Sequence, residues 1–158
     1  VSFTPARPLR PDDDLVAFDC GRDELNRWLV GRALRSERER AARSYVTCDT
    51  TSGRVAGYYC LSAFSVVRAS VPDSLSRNAP DPIPCALLGR LAVDREFQGA
   101  QLGTSLLHDA VLNATLAADR IGLRALVVDA LDDQAAAFYA RHDFTPFPGQ
   151  SLRLFHRL

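Results

Sequence analysis

The chain has 158 residues, enough for one domain that buries its own core without a metal or disulfide staple. Nineteen basic and nineteen acidic residues give a formal charge of zero, which argues against indiscriminate nucleic-acid affinity but leaves room for a local basic patch. No run approaches the ~18 apolar residues that would span a bilayer, and Val1 to Asp14 has no signal-peptide core, so a cytoplasmic location away from any membrane is expected.

In chain order, residues 3–8 read as a first strand, followed by the acidic turn Pro11-Asp12-Asp13-Asp14. Helical signals begin near Gly21, with Asp23 and Glu24 suited to a first turn and Leu25, Trp28 and Leu29 on one apolar face. Gly31 is expected to break this helix, and a second one to run to about Arg43. Ser44–Cys48 and Arg54–Val67, joined by Asp49-Thr50-Thr51-Ser52-Gly53, form a predicted hairpin. Residues 68–84 hold four prolines and read as a long loop.

Cys85–Val93 is a nearly continuous apolar run, as a central strand requires. Residues 102–118 carry Leu102, Leu106, Leu107, Val111 and Leu116 at helical spacing, and Leu123–Val128 is a second buried strand. Asp132–Arg141 is a short predicted helix, and 144–147 with 152–156 a closing hairpin. Two central strands joined through a helix should be parallel, with a right-handed crossover.

Cys20, Cys48, Cys60 and Cys85 lie far apart, and His108, His142 and His156 are equally scattered, so neither a metal site nor a disulfide framework is expected. All nineteen basic residues are arginine. A GC-rich genome would produce that bias, and so would a surface built for bidentate phosphate contacts; composition does not choose between them.

The chemically informative stretch runs Leu88-Gly89-Arg90-Leu91-Ala92-Val93-Asp94-Arg95-Glu96-Phe97-Gln98-Gly99-Ala100-Gln101-Leu102-Gly103-Thr104. A buried strand ends, a Gly-containing turn follows and a long helix starts, and such a helix N-terminus offers unpaired amides to an anion. This stretch resembles the acetyl-CoA-binding motif of the GNAT superfamily, Gln/Arg-x-x-Gly-x-Gly/Ala, with Gln98 and Gly103 at its ends and Gln101 in place of the usual glycine. Asp132-Asp133-Gln134-Ala135-Ala136-Ala137-Phe138-Tyr139-Ala140-Arg141-His142-Asp143-Phe144 is similar to a second family segment, Asn-x-x-Ala-x-x-Phe-Tyr-x-x-x-Gly-Phe, with Asp132 for asparagine and Asp143 for the helix-ending glycine.

The resemblance implies a single GNAT domain over residues 1–158. Its fold would be α/β, a mixed and mostly antiparallel sheet with a splayed parallel central pair and helices on both faces. It implies acetyl-CoA as co-substrate and no metal. Leu91, Ala92, Val93, Gln98, Gly99, Ala100, Gln101, Leu102, Gly103, Thr104, Asp132 and Phe138 would hold the co-substrate, with backbone amides near Val93 serving the thioester carbonyl. Tyr139 would act as general acid on the leaving thiolate. A phenol titrates near ~10 against ~8.5 for a thiol, so tyrosine keeps its proton at neutral pH. From spacing alone, Tyr139 reads equally as a core aromatic beside Phe138.

Phe18 to Leu29, the Arg-rich helix after it and Leu88 to Val93 are further similar to GNAT toxins of toxin–antitoxin modules, which acetylate the α-amine of aminoacyl-tRNA. That implies an aminoacyl-tRNA substrate, a ribbon–helix–helix antitoxin and a homodimer. Seven arginines against four acids in residues 22–43 are compatible with phosphate contacts, though the pattern alone favours a solvated helix face with i,i+4 pairing. Arg35, Arg38, Arg77 and Arg90 are the candidate tRNA contacts; Arg90, inside an apolar strand, must pair with a carboxylate or face a cleft. Acetylation of a polyamine, an antibiotic or a protein N-terminus, or a catalytically silent CoA-binding module, are the alternatives.

Overall fold

The computed structural model describes residues 2–158. The strands are β1 (Arg7–Pro8), β2 (Arg43–Cys48), β3 (Val55–Val66), β4 (Ile83–Val93), β5 (Ala125–Asp129), β6 (Thr145–Phe147) and β7 (Gln150–Arg157). The helices are α1 (Asp23–Gly31), α2 (Ala33–Arg38), α3 (Asp73–Ser76), α4 (Leu102–Ala118) and α5 (Asp133–Arg141). Sheet order is β1-β2-β3-β4-β5-β7-β6, with β4 and β5 parallel and antiparallel ladders at β1–β2, β2–β3, β5–β7 and β6–β7. The chain forms two compact units, Val1–Ser62 with Arg90–Ala110 and Ala63–Gly89 with Val111–Leu158.

In the first unit, alternation along β2 and a register shift of β3 between Thr47 and Cys48, which pairs Cys48 with Val55 and Val46 with Tyr58, bring Val46, Cys48, Val55 and Tyr58 to one face, where they pack with Leu25 and Leu29 of α1, Ala33 of α2, and Ala92. The Tyr58 hydroxyl donates to the Leu25 carbonyl at 2.8 Å, pinning α1 to this face. The opposite face takes the first half of α4, which packs closely on Gly57. A Cβ at that position would sit 2.8 Å from Leu106 Cδ1 and 3.2 Å from the Ala92 carbonyl oxygen. On the same side, Tyr45 stacks on Tyr59 at 4.9 Å, and the Tyr59 hydroxyl donates to Asp109 at 2.5 Å.

The expected strand over 3–8 contracts to Arg7–Pro8 plus an isolated Phe3–Asp49 bridge. Pro5 and Pro8 bring no N–H to a ladder, and outside the two-residue strand the pairing continues through the Thr4 and Leu9 amides, which donate to Cys48 and Ser44. The helix expected to reach Arg43 stops at Arg38. Arg40 takes a left-handed φ of 58°, and the Glu37 carboxylate accepts from the Ser44 amide at 2.6 Å and from Arg43 at 2.8 Å, which turns the chain into β2.

In the second unit, Cys85, Ala125, Val127, Phe147 and Phe155 form one face and pack against Val71, Leu75 and Ala79. The proline-rich stretch is therefore not a bare loop: Pro72 starts the one-turn helix α3, which drives Leu75 fully into this core. On the other face α5 lies against β7, with Phe144 packed on His156 at 5.4 Å. Of the apolar residues at helical spacing in α4, Leu116 is 53% exposed. Ala110 and Ala114 are buried instead. All four cysteines are free thiols. No described helix is long and apolar enough to cross a membrane.

Candidate active site

The end of β4 and the turn after it are organised by one buried carboxylate. Asp94, 1% exposed, receives the Arg54 guanidinium at 2.9 Å, the Asp19 amide at 3.0 Å and the Glu96 amide at 3.0 Å. It thereby caps a 3-10 turn over Arg95–Phe97 and ties it to β3 and to the segment before α1. A second tie runs alongside: Arg95 donates to Asp19 at 2.6 Å. That bond, with further donors in Gly21 and Asn26, holds the Asp19 carboxyl down at about 2. Sequence reasoning passed over Asp94, since an aspartate after an apolar strand reads as an ordinary turn residue.

On that base sits the loop expected to receive the pyrophosphate. Leu91 and Val93 are half-buried and Ala92 lies in the core below them, while Gln98, Gly99, Ala100 and Gln101 are exposed. Gln98 folds back, its side-chain amide donating to the Val93 carbonyl at 3.1 Å. Gly99 has φ +88° with open space where a Cβ would be. Gln101, where the family has glycine, adopts φ +60°. The backbone thus keeps the left-handed shape that glycine would supply, at a steric cost of roughly 1–2 kcal/mol for a side chain of this kind.

The helical ladder of α4 begins with the Ser105 amide on the Gln101 carbonyl at 3.1 Å. The amides of Leu102 and Gly103 precede that first bond and lie at the positive end of a helix of 17 residues. Leu102 is buried and anchors the turn, while Gly103 and Thr104 are half-buried. This arrangement of glycine, open space and helix-start amides fits an anionic diphosphate.

In the second unit, α5 carries the other motif. Asp132 is its N-cap, accepting from the Ala135 amide at 2.8 Å. Aspartate and asparagine cap equally well, which explains the exchange at this position. At the far end Asp143 has φ 70°, and the His142 and Phe144 amides both return to the Tyr139 carbonyl. This is the left-handed termination anticipated for a residue standing in for glycine.

Between these caps Tyr139 is buried, wedged against Phe138 at 5.3 Å and Phe144 at 5.6 Å. Phe138 itself is half-buried and tilts over His142 at 4.7 Å. Among the described residues the Tyr139 hydroxyl makes no hydrogen bond, and burial pushes its phenol well above the ordinary value. Chemically this is a proton donor kept neutral at pH 7 with its donor uncommitted.

The arginine candidates separate. Arg35 pairs with Glu39 one turn on, at 2.8 Å with both side chains exposed, a weak surface pair that a phosphate can displace. Arg38 is exposed on the same helix. Arg90 follows neither of the two expected outcomes in full: its guanidinium lies 4.2 Å over the Trp28 ring, which stacks in turn on Tyr58. A cation–π contact is a third way to hold a charge in an apolar strand. Arg77 lines a cleft with Arg124 and Arg157, two residues that sequence reasoning missed because nothing in the linear chain relates them.

The profile of the family described as "Acetyltransferase (GNAT) domain" matches residues 40–146. A tRNA-acetylating toxin of Mycobacterium tuberculosis is 44% identical over 152 residues, covering 96% of this chain and 90% of its own. The solved structure of AtaT complexed with acetyl-methionyl-tRNAfMet superposes with a TM-score of 0.91 at 34% identity, over 99% of this chain and 95% of that one. A tyrosine-to-phenylalanine variant of AtaT bound to the C-terminus of the antitoxin AtaR and acetyl-CoA superposes at 0.83 with 33% identity, over 98% of this chain and 92% of that one.

Proposed function

The chain belongs to the GNAT acetyltransferase family, and from that premise we propose that it is a toxin that transfers the acetyl group of acetyl-CoA to the α-amine of an aminoacyl-tRNA and so blocks translation. The observation that carries this reading is the 44% identity to a tRNA-acetylating toxin across 96% of the chain. The geometry supports it residue by residue. The amides of Leu102 and Gly103 take the diphosphate, and the glycine-like backbone at Gln101 lets it approach. Gln98 stiffens the loop through Val93, and Asp94 fixes the loop's base. Asp132 and Phe138 serve the site by capping and packing α5.

When bound, acetyl-CoA supplies an activated thioester: the amine bonds to the acetyl carbon, the carbon–sulfur bond breaks, and the sulfur leaves as a thiolate. Tyr139 holds the proton that thiolate needs. An ester-linked α-amine titrates at or below ~7.7–8.0, so a useful fraction is neutral at pH 7 and water suffices to remove its surplus proton. The site then needs no strong side-chain base.

The finer assignments follow the same reading. One GNAT domain spans residues 1–158, the protein acts in the cytoplasm as a homodimer, and its antitoxin pairs a ribbon–helix–helix part with a tail that covers the site. Arg35, Arg38, Arg77 and Arg90 contribute to tRNA binding.

The test is transfer of label from acetyl-CoA to total charged tRNA, with polyamines and peptides in parallel. Label is expected on the aminoacyl moiety. Tyr139→Phe should cut turnover by about 10²–10⁴-fold, with acetyl-CoA affinity unchanged. Label only on a polyamine or peptide would sink the toxin reading and keep the enzyme class.

A further inference from the structure

Six arginines, Arg7, Arg35, Arg43, Arg54, Arg95 and Arg153, are tied to carboxylates. Arg77, Arg124 and Arg157 are different. They come from three distant points of the chain, the residues after α3, before β5 and at the end of β7, and meet in a cleft of about 470 Å³. Pairing of Ala125 with Arg157 in the β5–β7 ladder brings two of them together. Among the described residues none of the three has a carboxylate partner.

The cleft is nonetheless built rather than accidental. Arg157 donates to the Ser74 carbonyl, and Arg124 donates to the Asn78 carbonyl at 3.4 Å, with Asn78 held in a left-handed turn at φ 60°. Each of those bonds uses one nitrogen of a guanidinium, so most of each donor fork remains for a ligand. Three like charges converge against the single carboxylate of Asp73, an arrangement that repels itself until an anion enters.

We propose that Arg77, Arg124 and Arg157 form a phosphate-binding cleft that grips the RNA backbone of the substrate; this rests on the tRNA reading above. The lining favours nucleic acid over a peptide. All six lining residues, Asp73, Ser74, Arg77, Asn78, Arg124 and Arg157, are polar, so the cleft offers no apolar or aromatic pocket to seat a peptide side chain. Planar guanidinium forks match phosphate oxygens bidentately. Asp73 adds an acceptor of the kind a ribose 2′-hydroxyl can use.

The experiment measures binding of deacylated tRNA to the full chain across a salt series, for wild type, Arg77→Gln, Arg124→Gln, Arg157→Gln and the triple variant. Each substitution should weaken binding and flatten the dependence of log K on log salt by about 0.7–0.9 per contact removed. For Arg124→Gln and Arg157→Gln, acetyl-CoA affinity and turnover of a minimal aminoacyl-CCA substrate should not move. Arg→Lys at each position should restore the salt slope, which a misfolded variant would not do. Unchanged tRNA affinity and slope in the triple variant would overturn the proposal. So would intact tRNA binding with loss of an antitoxin peptide or of self-association, since the cleft would then be a protein interface. Because the readout is binding, a wild type that grips tRNA yet acetylates only small amines would sink the toxin reading and leave this cleft standing.

Discussion

The two motif-bearing regions, the turn from Val93 to Gly103 and the α5 segment from Asp132 to Phe144, replace the family's glycine with different residues at the same kind of backbone. Gln101 sits at φ 60° and Asp143 at φ 70°. Asparagine and aspartate reach that conformation readily because a short polar side chain can bond locally, whereas glutamine has no such compensation. The regions also differ in what stabilises them. The first is held by a charged hub around Asp94, the second by a cap and by aromatic packing around Tyr139. One region therefore stores strain on an electrostatic base, and the other is relaxed on an apolar one.

The largest expected effect tests the two bases. Asp94→Ala removes a partner from a nearly buried ion pair and strands the amides of Asp19 and Glu96, and should cost about 3–5 kcal/mol in urea unfolding. Asp132→Ala loses only a cap and should cost about 1 kcal/mol. Equal losses would show that the hub is not the main support of its region. Acetyl-CoA affinity should fall with the first substitution more than with the second.

A smaller effect tests the strain. Gln101→Gly relieves the left-handed clash and gives back part of the gain through a more flexible unfolded chain, for a net stabilisation of about 0.5–1 kcal/mol. Asp143→Gly has little strain to relieve and should be neutral or slightly destabilising. If the two glycine variants behaved alike in the same unfolding assay, the distinction between glutamine and aspartate drawn here would fail.

The smallest effect is confined to acid. Asp19, lowered to about 2 by Arg95, stabilises the fold fully above its unfolded value of ~3.9 and loses that contribution as pH falls through about 2. The melting temperature of the wild type should therefore drop relative to Asp19→Asn between about pH 4 and pH 2. Parallel curves over that window would mean the Asp19–Arg95 tie contributes nothing to the first region.

By itself the sequence determined what depends on near neighbours in the chain. Helical spacing located α4 at its observed limits, apolar runs joined through a helix marked β4 and β5 as a parallel pair, and the left-handed end of α5 was legible at Asp143. Both stretches that resemble the family's motifs were legible for the same reason, because each is contiguous in the chain. Tertiary structure decided whatever depends on partners far along the chain. It ended α2 early through the carboxylate of Glu37, and it seated Arg90 on Trp28 rather than on an acid. It turned Asp94 from a turn residue into a hub, and it gathered Arg77, Arg124 and Arg157 into one cleft. A side chain's charge is written in the sequence, but whether that charge is neutralised, stacked or left for a ligand depends on which distant groups the fold brings within a few ångströms.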